Sequence, residues 1–271
     1  MHFWSRLLES CRFFNYYKMA VTAQQTKELR DRTGVGMLTC MKALEEANGD
    51  MDKAVDILRK KGEAKAESKA SRETAEGRVA ISGRAMIKLL CETDFVAKNE
   101  KFQTLVDELV KKTEEEGVEK AREYFDSAQK EYVQSIGENM KLEQAEIVEG
   151  GSVVGSYVHS NGKLGAVVLL DGGTEEQAKD VAMHAVAMNP LVANPENVPA
   201  ENIAKEKEIY VDQLKAEGKP EAIIEKIIEG KVKKYCVDRA LSSQPFVKDP
   251  SQTVAQYLGD AKLVKFVRYE V

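Results

Sequence analysis

The stretch from Val153 to Asp171 constrains the fold more than any other part of the chain. Val153 to Ser160 and Leu164 to Asp171 are apolar runs separated by Asn161-Gly162, and that dipeptide between such runs is the strongest short-range signal for a β-hairpin. The pairing expected is antiparallel, closed by a two-residue type I′ turn. Immediately afterwards the period changes. Thr174-Glu175-Glu176-Gln177 is a capping box, and Ala178, Val181, Ala182, Ala185 and Val186 then fall on one helical face, with Asn189-Pro190 ending the helix. A hairpin followed at once by an amphipathic helix fits an α+β fold of small antiparallel sheets with helices. Leu263 to Val271, apolar at most odd positions, is expected to rejoin this second sheet.

The same grammar appears earlier. Val79 to Ser82 and Ala85 to Glu92 read as strands joined at Gly83-Arg84, the second apolar enough to be central in its sheet. Thr93 to Lys98 form a loop, and Phe102, Leu105, Val106, Leu109 and Val110 trace a helical stripe behind it. A further helix from about 118 to 135 leads through Ile136-Gly137-Glu138-Asn139 to a strand with Leu142, Ile147 and Val148.

Two helical modules flank this core in sequence. Thr22-Ala23-Gln24-Gln25 is a second capping box opening a helix over 23–33, and Gly34-Val35-Gly36 turns the chain into a helix carrying Met41, Leu44 and Ala47. Asn48-Gly49 caps that helix, and a third, with Met51, Ala54, Val55 and Leu58, ends at Gly62. Residues 59–76 mix both charges with Ala and hold no large apolar side chain, so they read as a solvated, partly helical linker. Near the C-terminus a helix at 200–217, a break at Gly218-Lys219-Pro220 and a helix with Ile224, Ile228, Val232 and Tyr235 predict an antiparallel helical hairpin. The expected organisation is a three-helix domain at 20–62, a linker at 63–78, core halves at 79–149 and 150–271, and the hairpin inserted at about 200–240. Residues 1–18 are aromatic-rich, and Arg6, Glu9 and Arg12 interrupt the apolar core a secretory signal needs. Two readings remain, an organellar presequence or a start assigned upstream of Met19. The second fits better, because Met19-Ala20 directly precedes a well-formed cap.

Composition narrows the function classes. The chain of 271 residues is 43% hydrophobic and 31% charged with a net charge of −5, a globular profile whose acidity argues against wrapping nucleic acid. Cys11, Cys40, Cys91 and Cys236 lack Cys-x-x-Cys spacing and read as reduced cytoplasmic thiols. The three histidines, His2, His159 and His184, have no metal-ligand spacing. No apolar run is long enough to cross a bilayer. Phosphate-loop, dinucleotide, nucleophile-elbow and zinc-protease motifs are all absent, so neither a cofactor nor catalysis is expected.

Two features stand out. Asp94-Phe95-Val96 places an aromatic and a β-branched residue in the loop between a buried strand and an amphipathic helix, where the pair either meets a partner or tucks into the core. His184 and Met188 lie i,i+4 on the side of their helix opposite the Ala/Val stripe, where they mark either a contact surface or scattered surface residues.

Long motifs, in order, add a resemblance covering residues 20–271. Leu29 through Met37 (LRDRTGVGM) and Lys42 through Asp50 (KALEEANGD) resemble the ubiquitin-associated-type N-terminal domain of the elongation factor Ts family. Cys91 through Asn99 (CETDFVAKN) is similar to that family's central loop, Ile136-Gly137-Glu138-Asn139 to its companion, and Gln244-Pro245-Phe246-Val247 to the marker after its coiled-coil hairpin. The resemblance implies a two-part core and a guanine-nucleotide exchange factor for EF-Tu, meeting it GDP-bound and nucleotide-free, in the cytoplasm, without nucleic acid or membrane. It implies that Asp94 and Phe95, with Thr93 and Val96 around them and Ile136 and Gly137 behind, enter the GTPase domain near its magnesium site. Lys27, Arg30, Met37 and Leu38 would hold that domain from the bundle, while His184 and Met188 would touch another EF-Tu domain. A 2:2 assembly is compatible with it. Bacterial members often continue into a C-terminal helix, whereas this sequence ends at Tyr269-Glu270-Val271, which leaves open what the C-terminus contributes. On its own the bundle would suit a ubiquitin- or peptide-binding adaptor, which has no need of the Asp94-Phe95 loop. An RNA-binding accessory would need a basic face with exposed aromatics.

Overall fold

The computed structural model describes residues 21–271, so the expected extension at 1–19 lies outside the described residues. Its contacts divide the chain into two compact units, one of residues through Ser71 with Lys130–Gly137, the other of Arg72–Gln129 with Glu138–Val271.

In the first unit, α1 (Ala23–Thr33), α2 (Met37–Glu46) and α3 (Met51–Lys69) surround a core of Leu29, Val35, Cys40, Ala43, Leu44, Ala54 and Leu58. The capping box at Thr22 and Gln25 is formed, and Gly34 closes α1 in the left-handed conformation. Gly62 does not end the third helix as expected. Glu, Lys and Ala are strong helix formers, and they carry α3 on to Lys69. The glycine serves close packing instead, since a Cβ there would sit 2.6 Å from Gln134 Oε1 and 3.3 Å from the Lys130 carbonyl.

The second unit holds two three-stranded antiparallel sheets. The first, in the order β1-β2-β3, is built from Glu76–Ser82, Ala85–Cys91 and Met140–Ile147. Within the expected linker at 63–78, α3 runs to Lys69 and β1 begins at Glu76, where Glu76 and Gly77 pair with Cys91 and Leu90 at the end of β2. Next come α4 (Asp94–Ala97), α5 (Glu100–Glu116) and α6 (Val118–Ile136), the last of which runs on into the first unit. The second sheet, in the order β4-β5-β8, comprises Val153–Val158, Leu164–Asp171 and Lys262–Glu270. Between β5 and β8 lie α7 (Glu175–Met188), α8 (Ala200–Ala216), α9 (Glu221–Arg239), β6 (Pro245–Phe246), β7 (Asp249–Thr253) and α10 (Val254–Leu258). Helices α8 and α9 pack through Leu214, Ile224 and Ile228.

Alternation places the β5 residues Ala166, Val168 and Leu170 against the Ala178, Val181, Ala182 and Ala185 stripe of α7. Their neighbours Val167 and Leu169 face Val79 and Met86 of the other sheet. The two sheets thus stack face to face, with α7 covering one outer side and α5 lying along β1 and β2. The turn between β4 and β5 differs from type I′, which needs positive φ at both central residues. Among the described residues Asn161 is not in the positive-φ set, whereas Gly162 has φ 70°. The Asn161 side chain instead accepts from the Lys163 amide at 2.9 Å, while the His159 carbonyl accepts from Gly162 N–H at 2.8 Å.

Candidate functional site

The Thr93–Lys98 segment, expected as a loop, folds as the single helical turn α4. Thr93 is its N-cap, accepting from Val96 N–H at 3.4 Å. That turn decides which side chains face outward. Phe95 is 81% exposed, while Val96 and Ala97 turn inward and are buried. Val96 therefore does not belong to the exposed surface expected of it, because one helical turn cannot aim successive residues the same way.

Thr93 is held from several directions. Its amide donates to Glu138 Oε2 at 3.0 Å and its hydroxyl to Glu138 Oε1 at 2.6 Å. The Cys91 thiol donates to the Thr93 carbonyl at 3.2 Å, and burial pushes that thiol's pKa up to about 12, which keeps it a protonated donor. Reciprocally, Glu92 accepts from the Asn139 amide at 2.6 Å and pairs with Arg72 at 3.3 Å. Two carboxylates thus stitch residues 92–93 to 138–139 and fix the base of α4. At its exposed end Asp94 pairs with Lys98 at 2.8 Å, and that hydrogen bond holds the Asp94 pKa below its ordinary value. An anionic first residue also suits a helix N-terminus. The result is a rigid mount presenting one carboxylate and one uncovered aromatic ring. Among the predicted site residues the structure brings Thr93, Asp94 and Phe95 together here. Glu92, Glu138 and Asn139 were not predicted as site residues, although Glu92 lies within CETDFVAKN and the other two within Ile136-Gly137-Glu138-Asn139, and that placement was the available signal.

Ile136 ends α6 half-buried, and Gly137 follows at φ 95° with its carbonyl accepting from the Lys69 ammonium. In the first unit Lys27 and Arg30 lie exposed on α1, and Met37 and Leu38, 41% and 62% exposed, open α2.

For α7 the expectation divides. Met188 is 46% exposed, but His184 is completely buried and cannot itself form a surface. The face opposite the Ala/Val stripe is covered by the segment after α9. Val247 N–H donates to His184 Nδ1 at 3.1 Å, so Nε2 carries the proton and donates to Gln244 Oε1 at 3.0 Å. Burial lowers the His184 pKa and so keeps the ring neutral. One turn earlier, the buried Asp180 binds Lys248 at 2.5 Å and the Tyr257 hydroxyl at 2.9 Å. Phe246 stacks on Tyr257 with ring centroids 4.2 Å apart. The work of His184 is thus to hold the Gln244–Val247 segment, whose Val247 side chain stands exposed.

Among the described residues no group of three or more His, Cys, Asp or Glu side chains is placed to hold a metal ion, and no helix is long and apolar enough to cross a membrane. The region from Glu92 to the last residue, which contains both α4 and the His184 network, is also matched by the sequence model of elongation factor TS, over residues 92–271. The chain belongs to the elongation factor Ts family. It is 43% identical to the elongation factor Ts of a Nitratiruptor species over 285 aligned positions, covering 93% of each chain. It is likewise 43% identical to that of Lactiplantibacillus plantarum over 268 positions, with 93% of this chain and 92% of the relative covered. Idiomarina loihiensis elongation factor Ts is similar at 42% identity, with 93% and 91% covered.

Proposed function

We propose that this protein is the nucleotide exchange factor of the translational GTPase EF-Tu, acting as a binding protein and not as an enzyme. The observation that carries the reading is Phe95, a ring 81% exposed on a helical turn clamped at its base by Glu138. A large apolar side chain left uncovered on a rigid mount has been spared the entropy cost of ordering at the moment of contact. Fully burying a Phe contributes roughly 1.5–3 kcal/mol, comparable with a typical allosteric coupling of roughly 1–3 kcal/mol.

In this reading Asp94 and Phe95 enter a gap in the GTPase domain near the magnesium site, with Ile136 and Gly137 in support. A GTPase holds its nucleotide through backbone amides, a Lys and Mg²⁺, so displacing that cradle weakens GDP. Linkage requires GDP to weaken the factor equally in return, which explains why the nucleotide-free and GDP-bound forms are both partners. Lys27, Arg30, Met37 and Leu38 of a ubiquitin-associated-type bundle grip the GTPase domain. Met188 and Val247 meet a second EF-Tu domain, and the antiparallel α8–α9 pair is the family's coiled-coil insertion. Assembly is 1:1 or 2:2, in the cytoplasm.

The test is release of a fluorescent GDP from EF-Tu with substoichiometric amounts of this chain. Acceleration with turnover is expected, together with no heat of GDP binding to the isolated chain. Unchanged release, or micromolar binding of GDP by the chain alone, would sink the reading.

A further inference from the structure

A cleft of about 490 Å³ opens where the end of α7 meets α8 and α9, lined chiefly by Met188, Tyr210, Lys231, Lys234, Tyr235 and Arg239. The chain as a whole carries a net charge of −5, yet this cleft is lined by three cations and one carboxylate, Asp238, with a second, Glu206, hydrogen-bonded to Tyr210 beside it. Two of the cations are held against aromatic faces. Lys231 Nζ lies 5.0 Å from the Tyr210 ring centroid, and the Arg239 guanidinium carbon 5.6 Å from that of Tyr235. Contact with an aromatic face orients a cation without neutralising it, so an arriving anion meets an undiminished charge. Met188, half-exposed at the same cleft, supplies an apolar wall.

We propose that this cleft receives an acidic segment of the GTPase partner, with carboxylates meeting Lys231, Lys234 and Arg239 and an apolar residue resting on Met188 and the two tyrosine rings. The inference rests on the exchange-factor reading and adds to it the chemistry of a second contact. A protein segment fits better than a nucleic acid. Backbone binding of a nucleic acid draws its affinity from neutralising phosphates along the strand, and three cations on an otherwise acidic chain supply few such contacts. Charges at such a contact act mainly on the association rate and on its salt dependence.

The experiment compares the full-length protein with the triple variant Lys231→Gln, Lys234→Gln, Arg239→Gln, whose side chains lie at the surface, using thermal melting to establish that both are folded. Association with EF-Tu is followed by stopped flow at low and high salt. Direct binding is measured with a fluorescent acidic peptide containing Phe and with single-stranded oligouridine. The expected result is association about tenfold slower in the variant at low salt, a gap that closes at high salt, and peptide binding by the wild type alone. Equal association rates at both salts would overturn the proposal, and so would binding of oligouridine without binding of the peptide. A wild type that does not associate with EF-Tu would instead overturn the exchange-factor reading, and the peptide arm would still report on the cleft.

Discussion

Helix α7 and the α4 turn each carry a ring that local pattern places off the hydrophobic stripe, yet one is completely buried and the other almost completely exposed. Phe95 sits on a single turn with nothing laid over it. His184 sits on the far side of a long helix, and that side is roofed by residues 244–257, some 60–77 positions later in sequence. Leaving a helix's main stripe therefore does not mean reaching solvent. The buried ring holds a distant segment in place, and in the proposed function the exposed ring meets the partner.

The largest effect separating the two rings should be on stability. His184→Ala strands the Val247 amide and Gln244 and leaves a cavity, at a cost of about 2–4 kcal/mol. That corresponds to a fall in melting temperature of roughly 5–10 °C. A melt within a degree of the wild type would place His184 among the dispensable surface residues and erase the contrast.

Next in size is the mount. Glu138→Ala removes two hydrogen bonds from Thr93 and should cost about 1–2 kcal/mol, loosening α4 while leaving Phe95 in place. Faster amide hydrogen exchange at Thr93 and Val96 should accompany slower GDP release, and Glu138→Gln, which retains one acceptor oxygen, should recover part of both. If release is unaffected while the amides exchange freely, rigidity of the turn is irrelevant to its action.

A smaller effect sharpens the account of the buried ring. The folded-state pKa of His184 is depressed, so the unfolded chain takes up its proton first as pH falls. The stability contributed by the neutral ring is complete above the unfolded value of about 6.5 and is lost as pH drops from there towards the lower folded value. Urea unfolding midpoints across that interval should fall in the wild type, and His184→Gln should remove this component of the slope. Smallest is Met188→Ala, expected to change stability by less than about 0.5 kcal/mol while weakening EF-Tu binding measurably by calorimetry.

Much of the fold was legible because it is written locally. The capping boxes at Thr22 and Thr174, the stripes of α5 and α7, and the apolar runs of β2 and β5 all rest on neighbours within a few residues. What was not legible depends on distant chain. Gly62 looks like a stop until Gln134 is seen beside it. Asn161-Gly162 is a local exception: it looks like a type I′ turn, but the Asn side chain takes the Lys163 amide two residues on. At the candidate site the exposed Phe95 was readable as an alternative. The Glu92 and Glu138 clasp, which joins residues more than forty positions apart, was not. The burial of His184 was hidden for the same reason.

The central claim, that Phe95 acts by contact with the partner and not by supporting the fold, is tested most directly with Phe95→Ala. Thermal melting of the free variant is paired with stopped-flow release of fluorescent GDP from EF-Tu at saturating factor. The ring is uncovered, so the variant should melt with the wild type, bind EF-Tu with reduced affinity and show a maximal release rate depressed more strongly than binding. A core Phe would cost about 3–5 kcal/mol on truncation and impair binding and release together. A variant that melts normally and still releases GDP at the full wild-type rate would contradict the account and shift the active contact to Ile136 and Gly137.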